Sequence, residues 1–214
     1  MTPTMDESAV QDGGRDAAEL EKSVPRLGDR VPKRGNALTR GLGAAVLRLL
    51  GWRFEGPFPD VAKLVAVGAP HTTANDFLIA ILTILALGIR ATWLGIDWIF
   101  RFPLMRWVGG SPVDRSRRQD LVSLNIEKFK DREQYVLALA PEGSRKKVVP
   151  WKTGFYRIAH GAGVPILLVA IDQQHKILRF GPCFETSGDL EADMEILRAF
   201  YAPYLERYAE RFGI

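Results

Sequence analysis

Apolar positions along this chain recur at two spacings, and the switches between them outline its elements. Leu38, Leu42, Ala45, Val46, Leu49 and Leu50 follow the 3.6-residue period of a helix that Gly51 stops, with Arg40 and Arg48 off the stripe. Residues 63–68 form a short apolar run that predicts a buried strand, and the periodicity over 76–87 predicts a helix. Further on, the pattern predicts a strand over 91–95, a short helix over 98–108, and a helix over 120–130 with Leu121, Leu124 and Phe129 on its apolar side. A strand over 135–140 and a helix over 151–160 follow. Gly161 and Gly163 lead into a strand over 164–171, and 176–180 predicts another pairing beside it. A last helix covers 190–211, with Pro203 expected to kink or interrupt it. Strands alternating with helices predict an α/β fold with a largely parallel or mixed central sheet flanked by helices.

Charge sets the domain limits. Residues 1–24 hold six acids against two bases and lack aromatic residues, whereas 25–53 hold seven bases and one acid. Such an acidic stretch has little apolar surface to bury, so an unfolded tail over 1–30 is expected ahead of one domain over 31–214. The 214 residues are 47% hydrophobic and 25% charged, proportions of an ordinary globular domain. A net charge of +4 is compatible with a phosphate ligand, an anionic membrane surface or nucleic acid, and selects none of them. Trp93, Trp98, Phe100 and Trp107 lie in apolar stretches rather than along a basic stripe, which argues against nucleic acid. The single cysteine, Cys183, excludes an internal disulfide framework, and three histidines without an HExxH motif argue against a metal site. No apolar run approaches the ~20 residues of a membrane-spanning helix. The expected location is cytoplasmic, with membrane contact only from the surface.

Four loops combine chemistry-bearing residues with the carboxyl ends or the starts of predicted strands. His71 and Asp76 are spaced H-x4-D across a strand-to-helix loop, where a carboxylate can fold back on an imidazole, fix its tautomer and stabilise its charged form. The alternative is that Asp76 merely caps a helix. Gly109, Asp114 and Arg115 belong to a glycine-rich turn with a guanidinium, a combination suited to phosphate oxygens, or else to a surface turn with a salt bridge. Glu142, Gly143, Ser144 and Arg145 follow a strongly apolar strand; Glu142 can position an arginine, and Gly143 allows close backbone approach. Val164 and Pro165 open a buried strand and read as structural, or as one wall of an apolar pocket.

In sequence order these four blocks resemble those of the glycerolipid acyltransferase family, which includes the bacterial 1-acyl-glycerol-3-phosphate acyltransferases. The resemblance runs from about Trp52 to Phe180. It departs from the family at Ser144, where threonine is usual, and at Pro112, where an aromatic residue is usual. The resemblance implies an enzyme that moves a fatty acyl chain from coenzyme A or acyl carrier protein to the hydroxyl of a lysophospholipid-type acceptor, most closely 1-acyl-glycerol-3-phosphate, in phospholipid biosynthesis. It implies His71 and Asp76 as the catalytic pair, with Gly109, Asp114, Arg115, Glu142, Gly143, Ser144, Arg145, Val164 and Pro165 as substrate-binding residues. No bound cofactor or metal is implied; the acyl thioester is a co-substrate. A different lyso-lipid or phosphate-free alcohol as acceptor, or hydrolysis of the thioester, is the alternative activity.

Cys183, His160 and His175 fall outside the catalytic blocks and are expected to be structural or surface residues. The basic segment 31–52 has two readings. It is an ordinary core-packing helix, or it docks on an anionic membrane through Lys33, Arg34, Arg40 and Arg48 with Leu38, Leu42, Leu49 and Trp52 entering the interface.

Overall fold

The computed structural model describes residues 24–70, 74–112, 118–142 and 151–205, with the backbone alone at 118–120. The chain runs α1 (Ala37–Leu49), β1 (Arg53–Glu55), β2 (Lys63–Ala69), α2 (Ala74–Leu87) and β3 (Ala91–Gly95). A 3₁₀ helix (Asp97–Arg101), α3 (Pro103–Trp107), β4 (Gly110–Pro112), α4 (Arg118–Asp131) and β5 (Tyr135–Leu139) follow. The last elements are α5 (Gly154–Ala162), β6 (Ile166–Asp172), β7 (Ile177–Phe184) and α6 (Leu190–Leu205).

The strands form one seven-stranded sheet in the order β1-β7-β6-β2-β5-β3-β4. All neighbours pair in parallel except β6 and β7, which form an antiparallel hairpin, so β7 and β1 run against the other strands. The fold is thus α/β around a mixed, mostly parallel sheet, as the alternation of patterns predicts. The central strands read as continuous apolar runs because both their faces are buried. In β2, Val65, Val67 and Ala69 point to one core, with Phe129 of α4, Phe155 and Ile158 of α5, and Leu197 of α6. Leu64 faces the opposite core, with Leu47 of α1 and Ile79 and Ala86 of α2. The 3₁₀ helix and α3 extend that second layer, where Phe100 and Val108 meet Ile81 of α2 and Trp93 of β3.

Several boundaries differ from the sequence expectation for identifiable reasons. The folded region reaches back to Val24 rather than starting at residue 31: Val24 and Leu27 pack on the α1–α2 core, and Arg30 N–H donates to Asp60 at 2.8 Å. The helix expected over 98–108 is two short helices, because Phe102 is extended (φ −92°, ψ 113°) ahead of Pro103. Pro203 does not interrupt α6, which continues to Leu205; Ala199 and Pro203 both face solvent, so water can serve the carbonyl that proline leaves unbonded. Residues 206–211 of the expected helix lie outside the described part. Trp52, expected at a membrane surface, is only 7% exposed and belongs to the core.

Helix α1 crosses α2 at Gly43, where an added Cβ would stand 2.7 Å from the Ala86 backbone nitrogen. On the other face of the sheet, α6 is tied to the strands by Tyr201, which is fully buried. Its hydroxyl donates to the Val67 carbonyl of β2 at 2.6 Å and accepts from the Val169 N–H of β6 at 3.1 Å. It therefore stands between adjacent strands and serves polar groups of both. Burial, reinforced by the charge of Glu142, pushes the Tyr201 phenol well above its ordinary value.

Tyr201→Phe leaves that carbonyl and that N–H without their partner, and is expected to lower stability by ~1–3 kcal/mol. Urea unfolding should show a lower midpoint at an unchanged slope. Wild-type stability should also decline above about pH 10, because the unfolded phenol releases a proton that the folded one retains. The Phe variant should lose less over that range.

Candidate active site

The register of the three central strands brings their carboxyl ends to one edge. Val67 of β2 is level with Leu139 of β5, and Ala69 is level with Ala170 of β6. The segments leaving these strands begin with Pro70, Ala140 and Gln173, and this edge is where α/β sheets place ligands. The Ala69–Pro70 peptide is cis.

Asp76 lies in the first turn of α2 and is 1% exposed. The helix begins two residues earlier, at Ala74, so Asp76 is not its N-cap. Its Oδ1 accepts a hydrogen bond from Gln173 Nε2, a side chain of the turn that follows β6. The carboxylate is thus held from a neighbouring strand's end as well as by its place near the positive end of the helix dipole. A buried, oriented carboxylate of this kind can fix an imidazole tautomer and stabilise the imidazolium. His71, five residues before Asp76 in the chain, lies outside the described residues, as do Asp114, Arg115, Gly143, Ser144 and Arg145.

Glu142 follows β5 and is also 1% exposed. It belongs to the same edge, on the side of α6, where its charge is felt by the Tyr201 phenol.

Three expected substrate-binding residues are not brought together with Asp76 and Glu142. Val164 and Pro165 stand at the amino end of β6, where the Pro165 carbonyl accepts from Val65 N–H at 3.0 Å and fixes the β2–β6 register. Gly109 precedes β4 with φ +96°, and a Cβ there would collide with the Ala91 carbonyl. Its own carbonyl accepts from Trp93 N–H at 3.1 Å, so this glycine serves the close approach of β3 and β4.

Gln173 carries no sequence signal: it is a polar residue in a turn, and only the pairing of β2 with β6 carries it to Asp76. The same turn holds an imidazole–carboxylate pair, His175 Nδ1 and Asp172 Oδ2 at 2.7 Å. Asp172 Oδ1 accepts from the backbone N–H groups of Gln174 and His175, both at 3.1 Å, which marks the pair as an organiser of the turn. His160 stacks on Tyr156 and bonds Thr186 at 3.0 Å, a packing role. Among the described residues, no three His, Cys, Asp or Glu side chains converge as metal ligands.

Cys183 sits on β7 level with Leu167, in the half of β6 remote from the edge occupied by Gln173. Although its side chain reaches solvent, desolvation by its surroundings raises the thiol above the free value. Alkylation by iodoacetamide, followed by mass spectrometry, should therefore be slower at pH 7.5 than for a free cysteine, and should accelerate beyond the ~8.5 at which a free thiol ionises.

No protein-family model matches the chain, and no curated protein matches it.

Proposed function

We propose that the chain is an acyltransferase that moves a fatty acyl group from an acyl thioester of coenzyme A or acyl carrier protein to the hydroxyl of a lysophospholipid-type acceptor. The acceptor that best fits its residues is 1-acyl-glycerol-3-phosphate. The observation that carries this reading is Asp76: a carboxylate buried at the carboxyl edge of a parallel sheet, four intervening residues after a histidine, and hydrogen-bonded by Gln173 from the next strand.

In this reading His71 takes the proton of the acceptor hydroxyl as that oxygen attacks the thioester carbonyl. Asp76 holds the imidazole and stabilises its charged form, while Gln173 restrains the carboxylate. Collapse of the tetrahedral intermediate expels the thiolate, which recovers the proton from the imidazolium. A backbone N–H near Gly143 is the proposed oxyanion donor, a type of contact worth ~3–4 kcal/mol. Arg115, with Asp114 beside it, follows β4 in the chain and supplies a guanidinium for the acceptor phosphate. Glu142 positions Arg145. Transfer is direct, with no acyl-cysteine intermediate.

Among the described residues no helix is long and apolar enough to cross a membrane. The proposed location is the cytoplasmic side of a membrane, held peripherally.

The test is consumption of radiolabelled acyl thioester with lysophosphatidate, glycerol 3-phosphate, other lysophospholipids and phosphate-free lyso-lipids as acceptors. Consumption that ignores every acceptor would establish a hydrolase instead. His71→Ala should keep the wild-type circular dichroism and lose ~10²–10⁴-fold in kcat. A variant retaining more than about a tenth of the activity would remove His71 from the role of base. Arg115→Ala should raise KM for a phosphate-bearing acceptor far more than KM for the thioester; equal effects on both would assign it to a salt bridge.

A further inference from the structure

We infer that the helical layer formed by α1, α2, the 3₁₀ helix and α3 is a lipid-docking surface whose contact is an apolar stripe with a cationic rim. The inference rests on the proposed lipid acceptor for its purpose, and on the following observations for its substance.

Twelve large hydrophobic residues are strongly exposed among the described residues, and nine of them belong to this one layer. On α1, Leu38, Leu42 and Leu49 are 79%, 63% and 86% exposed, and exposed Ala45 falls on the same line. At ~100° per residue these four positions span about 60° of the helix surface. Gly43 and Leu47, on the opposite side, are the residues that bury α1 against its neighbours. Helix α1 is therefore apolar on two faces, and the core needs only one of them. Helical periodicity alone does not separate the two.

The outer stripe is continued by the connection between β3 and β4. There Phe102, Leu104 and Trp107 are 60%, 55% and 46% exposed. The start of α1 and the end of α3 are joined: the Arg34 guanidinium donates to the Trp107 carbonyl, and Thr39 and Trp107 line one small hollow.

Charge identifies the occupant. Helix α1 has no acid and Arg48 borders its stripe, while Arg40 lies on the opposite side, against Gly88; Arg101 and Arg106 are exposed beside the aromatic residues, with Asp97 as the acid of that segment. A leucine stripe bordered by bases, with a tryptophan at its margin, suits an interface between acyl chains and anionic headgroups. Of the cations expected from the sequence to face the membrane, Arg34 is instead half-buried, where burial and then Arg90 lower its pKa. The apolar stripe, not the count of bases, is the principal contact.

The orientation suits delivery of a lipid. The far end of α1 lies beside the β6–β7 turn, where Lys176 Nζ donates to the Leu50 carbonyl at 2.8 Å. That turn also carries Gln173, so the stripe leads toward the edge that holds Asp76.

The experiment is co-sedimentation of the full chain with vesicles of phosphatidylcholine alone and with added phosphatidylglycerol, in the absence of acyl donor and acceptor. Expected results are binding to both, tighter with phosphatidylglycerol, and a blue shift of tryptophan emission. Leu38→Gln/Leu42→Gln and, separately, Leu104→Gln/Trp107→Gln should each partition at least tenfold more weakly while keeping the wild-type circular dichroism. Unchanged binding by both double variants, or no binding by the wild type, overturns the proposal. So does a dimer in sedimentation velocity that the Leu38→Gln/Leu42→Gln substitutions dissolve, which would give the surface to a second copy of the chain. The catalytic reading is tested apart from this one, on a short-chain dispersed acceptor. Transfer to that acceptor without vesicle binding removes the docking surface alone, and vesicle binding without thioester consumption removes the acyl transfer alone.

Discussion

The parallel pairing of β2 with β5 on one side and β6 on the other governs the rest of this molecule. Parallel neighbours cannot be joined by a tight turn, so each strand must hand the chain to a crossover before the next begins. The segments after β2 and β5 therefore leave from one edge, and the turn after β6 leaves from the same place. Residues separated by about a hundred positions, Asp76 and Gln173, meet there because strand register leaves them no other arrangement. Glu142, buried in the turn after β5, belongs to the same edge for the same reason.

The two layers differ in how they finish the molecule. The layer of α4, α5 and α6 exposes few large apolar side chains, whereas the layer of α1, α2, the 3₁₀ helix and α3 carries most of them outward. Gly43 makes this asymmetry permanent. With α1 lying so close to the Ala86 backbone, the helix cannot roll about its axis to hide its outer leucines without driving a turn of α2 out of the way.

The α/β fold was legible in the sequence because strands covered on both faces read as unbroken apolar runs, while helices keep a 3.6-residue stripe. β1 and β4 were not, since three residues are too few to establish any period. Of the site, Asp76 was legible as a carboxylate where a strand hands over to a helix, while its H-x4-D partner His71 lies outside the described residues. Gln173 was not, because its neighbour is chosen by the β2–β6 ladder and not by distance along the chain. At Gly109 and Val164–Pro165 the sequence leaves the role open. Glycine and proline beside a strand look the same whether they admit a ligand or let two strands close, and here backbone geometry assigns Gly109 to the approach of β3 and β4 and Pro165 to the β2–β6 register.

The Tyr201 hydroxyl has a bearing on how the chain is made. Val67 is synthesised 134 residues, and Val169 32 residues, before the tyrosine whose hydroxyl serves their carbonyl and N–H. Until translation has passed Tyr201 and α6 has left the ribosome tunnel, the middle of the sheet holds two polar groups still in need of that hydroxyl. A nascent chain can assemble its helices and hairpin early, but its central sheet is completed only after translation has passed that tyrosine.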